Sequence, residues 1–112
     1  MNKDWILKNT TSYEEDLLED LQNPDEAQAF LEAVFEAYEE DGNMEALLLA
    51  IRDVAKAQGG IATLAKRAGM NREHLYDVLA NKHRPRFDKM LDILSGLGFR
   101  FRLERREGVT AS

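Results

Sequence analysis

The stretch Ile61–Lys82, IATLAKRAGMNREHLYDVLANK, restricts what this chain can fold into more than any other segment. Its small and apolar residues recur at the spacing of two short helices joined by a tight turn. Ala65 stands where the two helices pass closest, and Gly69 stands at the corner, where a residue without Cβ takes φ > 0 at little cost. Leu64 and Ala68 of the first segment, then Leu75 and Val78 of the second, supply the inward contacts. Met70 closes the turn, and Asn71 suits the N-cap of the helix that follows. This is the pattern of a helix-turn-helix, whose second helix enters the DNA major groove.

Chain length and composition set the remaining bounds. The 112 residues suit one domain with modest extensions, and an apolar share of 44% permits a packed core. With no cysteine, a disulfide framework, a thiolate metal site and a cysteine nucleophile are all excluded. No apolar run approaches the ~18 residues of a membrane span, and nothing resembles a signal peptide. The expectation is a soluble cytoplasmic protein with no membrane partner.

The net charge of −6 argues against a DNA binder until it is divided along the chain. Residues 1–45 hold 14 acids and 2 bases, a balance of −12, whereas residues 46–112 hold 7 acids and 13 bases, a balance of +6. Such asymmetry points to nucleic-acid contact through the basic part. The acidic part would repel phosphate, so it should face away or meet a basic partner. The plainer reading is an acidic, solvated face that serves solubility.

Residues 1–11 carry few helix signals, but Trp5, Ile6 and Leu7 form an apolar cluster suited to docking on the domain or on a partner. Ser12 and Glu15 form a capping box that opens a short helix, Tyr13–Leu21, with Leu17, Leu18 and Leu21 on one side. Asn23-Pro24-Asp25-Glu26 starts a helix that runs to about Glu40, with Phe30, Leu31, Val34, Phe35 and Tyr38 at helical spacing. Asp41-Gly42 breaks it. Asn43 caps the next helix, which reaches Gln58 with Met44, Leu47, Leu48, Ile51, Val54 and Ala55 as its stripe, and Gly59-Gly60 ends it. A basic loop, KHRPR, leads to a last helix at about Arg86–Ser95, placing Phe87, Met90, Leu91 and Leu94 inward before Gly96 and Gly98 stop it. FRFRLERR then alternates as a half-buried strand, with Phe99, Phe101 and Leu103 on one face. That strand needs a partner.

The expected fold class is therefore all-α, five to six helices with one C-terminal β-strand. Residues 1–22 form an extension with a short helix, 23–98 the DNA-binding domain, 99–106 the strand and dimer contact, and 107–112 a flexible tail.

Burying Leu75 and Val78 leaves Asn71, Arg72, Glu73, Tyr76 and Asp77 exposed on the second helix, the first four as candidate base readers. Arg72 suits guanine O6/N7 and Asn71 suits adenine N6/N7 if the cap leaves it free. Tyr76 suits a thymine methyl or a phosphate, and Glu73 suits cytosine N4, for selectivity more than affinity. Lys66, Arg67, Lys82, His83, Arg84 and Arg86 flank the pair as phosphate contacts, which set position rather than sequence. Ordinary solvated charges are the plainer reading. No catalytic or metal site is expected: His74 and His83 stand nine residues apart without a third ligand, no P-loop, nucleophile elbow or HExxH sequence occurs, and no cofactor is implied.

The segments DLLEDLQNPDEAQAFLEAVFE and LLLAIRDVAKAQGGIATLAKRAGMNREHLYDVLANKHRPRFDKMLDILSGLGFRF, roughly residues 16–101, resemble the Xre-type helix-turn-helix antitoxins. These are the HigA-like probable addiction-module antidote proteins, often encoded in prophages. The resemblance implies a lambda-repressor-like five-helix domain with a terminal strand, dimerising on a pseudo-palindromic operator. It also implies a small basic toxin of the RelE/HigB-like kind, held inactive. Where the family often carries NP or GNP before the last helix, this chain has KHRPR. By position, Asn71, Arg72 and Tyr76 would be the readers. The strand 99–103 would pair with its symmetry mate or extend a toxin sheet, the symmetric pairing being preferred. The rival readings are a stand-alone prophage regulator without a toxin and a pure protein-interaction module.

Overall fold

The computed structural model describes residues 13–107. The capping Ser12, the Trp5–Leu7 cluster and residues 108–112 of the tail lie outside them. Helix α1 covers 13–20 of the described chain. It is followed by α2, Pro24–Asp41; α3, Met44–Ala57; α4, Ile61–Ala68; α5, Arg72–Leu79; and α6, Phe87–Gly96. The boundaries follow the local signals. Asn23 Oδ1 accepts from the Asp25 N–H at 2.8 Å with Pro24 next to it, and Asn43 Oδ1 accepts from the Ala46 N–H at 3.0 Å. Each cap satisfies one of the donors a helix start leaves unpaired.

Helix α3 is the centre of the core. Its stripe of Leu47, Leu48, Ala50, Ile51, Val54 and Ala55 is buried, packed against α2 on one side and against α4 and α5 on the other. Leu21, Leu48, Ile51, Val54, Leu75 and Ile93 are its largest fully buried side chains, and no polar side chain is buried among the described residues. Such a core is held by area removed from water, at ~25 cal/mol per Å² of apolar surface. One polar clamp closes its edge. The Gln58 side-chain amide donates to the carbonyls of Leu21 (2.7 Å) and Gln22 (3.2 Å), tying the end of α3 to the chain just after α1.

Four expectations change. The terminal strand is absent among the described residues: 99–106 carries no strand, because period-two alternation stabilises a ladder only when a second strand lies alongside. Gly96 does not stop α6; it is the buried last residue of that helix, and the chain turns after it. A Cβ built there would lie 2.9 Å from Leu64 Cδ1, 3.1 Å from the Ala68 backbone nitrogen and 3.2 Å from Ala68 Cβ. Helices α4 and α6 therefore meet at a contact where an added methyl would have to displace its neighbours by a few tenths of an ångström. Phe87 and Leu91 do not point inward, being exposed by 68% and 36%. The buried stripe of α6 is Met90, Ile93 and Leu94, continued by Leu97, and Leu91 falls beside it at 100° per residue. On α2 only Ala27 and Leu31 are buried, while Phe30, Val34, Phe35 and Tyr38 are half-buried, because one helix face meets α3 and the flanks look into clefts.

The α4–α6 contact yields a test. Gly96→Ala is expected to lower unfolding free energy by about 1–3 kcal/mol, the range for overpacking a filled core. Urea denaturation measures it, and an unchanged midpoint would mean that α4 and α6 can part without cost.

Candidate nucleic-acid interface

The turn between α4 and α5 takes three residues. Gly69 lies at φ 66°, and the Met70 N–H donates back to the Ala65 carbonyl at 2.9 Å, which folds Met70 onto the core. Asn71 then caps α5, its Oδ1 accepting from the N–H groups of Glu73 (2.8 Å) and His74 (3.3 Å). Leu75, Val78 and Leu79 bury one side of α5, and Arg72, Glu73, His74 and Tyr76 are left exposed on the rest. The surface that the sequence singles out is thus presented outward by the helix period alone.

The structure adds an internal order to that surface. The Arg72 guanidinium sits over the Tyr76 ring, 5.7 Å from its centroid, one turn along the helix. Stacking of this kind restricts a long side chain and leaves its planar fork of donors free. The i,i+4 spacing of an Arg and a Tyr was the available signal for it. Asn71 is differently placed, since both amide hydrogens of its side chain remain for other partners but its oxygen is engaged by the cap. A bidentate contact with adenine needs that oxygen as well.

The six flanking cations divide into two groups. Lys66 and Arg67 are exposed in the last turn of α4, where positive charge meets the negative end of the helix dipole. His83 and Arg84 are exposed in the loop that begins after Asn81, a non-glycine residue at φ 57°. Among the described residues these four form no ion pair. Lys82 and Arg86, by contrast, pair with Asp77 (3.1 Å) and Asp88 (3.3 Å). Both pairs are largely exposed, so each holds its cation by at most about 1 kcal/mol and can be exchanged for another anion.

The third group of expected residues lies elsewhere. Phe99 is half-buried, Phe101 is 41% exposed and Leu103 is 97% exposed. The Phe101 ring meets Phe35 of α2 edge-on at 5.6 Å and Phe87 of α6 at 5.7 Å. Beyond this aromatic anchor the segment stands away from α2, leaving a cleft of about 1020 Å³. Glu32, Glu36 and Glu39 line one wall and Arg100, Arg102 and Arg105 the other, with no ion pair between them among the described residues. The alternation in FRFRLERR indicated an apolar face, but not that two phenylalanines from distant helices would be its partners. His74 is exposed, as a helix-face residue would be, and no group of three potential metal ligands occurs among the described residues.

A family model described as "Probable addiction module antidote protein" matches residues 11–105. An uncharacterized protein of Haemophilus influenzae is 31% identical over 90 residues, a span that covers 80% of this chain and 88% of the relative. No solved structure matches.

The cap at Asn71 is open to direct measurement. Asn71→Ala should cost ~1 kcal/mol of stability, within the 0.5–2 kcal/mol observed for lost N-caps, and raise amide exchange in the first turn of α5. Exchange unchanged at Glu73 and His74 would show that the cap does not hold this helix start.

Proposed function

The chain belongs to the probable addiction module antidote protein family, and on that premise we propose that it is a DNA-binding antitoxin that represses its own operon as a dimer. An antidote implies a toxin partner, and it is a neutralising or regulatory protein, not an enzyme. The observation that carries the DNA-binding part is the outward face of α5, where Arg72 is stacked on Tyr76 within a basic surround. In this reading α4 and α5 form a helix-turn-helix of the Xre kind, and α5 enters the major groove.

The roles follow from the geometry. Arg72 offers its fork to guanine O6 and N7 with Tyr76 as its support, and Glu73 accepts from cytosine N4. Asn71 keeps its oxygen on the cap and contributes amide donors. Lys66, Arg67, His83 and Arg84 approach phosphates directly, whereas Lys82 and Arg86 exchange their aspartates for them. The acidic balance of −12 over residues 1–45 favours a small basic toxin by attraction at long range, and it keeps that end of the chain off the DNA. The segment 99–106 pairs with its two-fold mate. Among the described residues its backbone N–H groups from 100 to 106 find no backbone acceptor, and Leu103 is exposed. Pairing two such segments supplies the missing ladder and sets the half-site spacing. No described helix is long and apolar enough to cross a membrane, and a cytoplasmic setting agrees with a DNA partner.

Three measurements test this. Arg72→Ala should cost roughly 1–3 kcal/mol of operator affinity and relax preference at one base pair, while Lys66→Ala should weaken all sequences alike and lower the salt slope by about 1. Binding that ignores both changes and is insensitive to salt would remove DNA from the reading. Leu103→Asp should move the protein from a dimer's to a monomer's mass in analytical ultracentrifugation; an unchanged mass would place the dimer contact elsewhere. Copurification with a basic protein from the adjacent reading frame separates an antitoxin from a stand-alone regulator.

A further inference from the structure

A second groove lies on the other flank of α2, away from the aromatic anchor. It has a volume of about 380 Å³ and runs between α2 and α3, lined by Phe30, Val34, Tyr38, Leu47, Leu49 and Ala50 among others. Leu49 is 55% exposed there, an apolar side chain on an otherwise well-buried helix. The groove's carboxylates are Asp41, beside the α2–α3 turn, and Asp53, two helical turns further along α3. Burial pushes the Asp53 carboxyl above its ordinary range, with Lys56 pulling it down, Glu14 pushing it up and Arg52 pulling it down. The Gln58 amide at the end of α3 holds the Leu21 and Gln22 carbonyls, so α1, which ends at residue 20, joins the fold at the end of α3 nearer Asp53.

What precedes α1 has complementary chemistry. Residues 1–12 hold Trp5, Ile6 and Leu7 between Lys3 and Lys8, the two bases of the entire acidic half. Five residues lie between Leu7 and Tyr13, and the six steps reach up to ~20 Å when extended. The groove from Ala46 to Asp53 spans seven residues of helix, about 10 Å. The tether is long enough to lay the cluster along its whole length. We propose that this groove is the docking site for the chain's own N-terminal segment, with Trp5, Ile6 and Leu7 over Phe30, Val34, Tyr38 and Leu49, and Lys8 at Asp53. Docking removes the exposed Leu49 from water and brings the Lys8 ammonium to a partly buried carboxylate. The reading is independent of DNA and toxin.

Trp5 is the only tryptophan in the chain, so its fluorescence reports on this contact alone. The full-length protein should emit to the blue of a free tryptophan amide and resist acrylamide quenching. Leu49→Glu, at an exposed position, should shift that emission to the red and raise the quenching constant several-fold, with the circular-dichroism melt showing that the fold persists. Lys8→Glu should do the same to a lesser degree. Trp5 fully accessible in the unaltered protein would overturn the proposal. So would a blue shift indifferent to Leu49→Glu, which would seat Trp5 on another surface. A blue shift that fades on dilution, or in the Leu103→Asp background, would assign the groove to a second copy and overturn it too.

Discussion

The architecture depends on the close approach of α4 and α6 at Gly96. Because that position has no side chain, Leu64 and Ala68 lie directly against the α6 backbone. This seats α4, and α4 in turn determines where the three-residue turn releases α5. The helix period decides which residues of α5 face outward, and packing two elements away decides where that face is placed. A Cβ at residue 96 would meet a backbone nitrogen, which cannot swing aside like the end of a flexible side chain.

Charge is distributed so that neither function proposed for the chain obstructs the other. Acids populate α1 and α2, whereas the bases gather on α4, the loop after α5 and the segment beyond α6. Among the described residues the ion pairs are local and largely exposed, Lys82 with Asp77, Arg86 with Asp88 and Lys89 with Asp92. They contribute little to stability, and the fold is held by its apolar core. Charges that hold nothing together are available for recognition. In the cleft between α2 and the C-terminal segment the two signs face each other without joining, which suits a surface that completes itself on association.

Much of the helical layout was legible in the sequence. Asn23, Asn43 and Asn71 cap the helices they precede, and the stripes of α3 and α5 point inward as their spacing requires. The errors lie where a local pattern depends on something non-local. Gly96 looked like a helix stop because glycine breaks helices in isolation; the demand for a close helix crossing outweighs that cost of about 1 kcal/mol. Phe87 looked like core because it is aromatic and in phase with Met90, but it opens α6 beyond the core's edge and pairs with Phe101. FRFRLERR looked like a strand, and its alternation has no neighbouring strand among the described residues to realise it.

The sequence by itself determined where the main helices lie, the asparagine caps of α2, α3 and α5, the inward stripes of α3 and α5 and the exposed candidates on α5, since these follow from spacings of three and four residues and from side chains that bond their own backbone. Only the tertiary structure decided that Gly96 is a contact and not a terminator, that Asn71 spends its oxygen on the cap, that Arg72 lies on Tyr76, and that α2 leaves a cleft lined by charges of both signs on one flank and an apolar groove on the other. Those features depend on which surfaces meet across the core, and a linear pattern carries that information only once the helices have been packed.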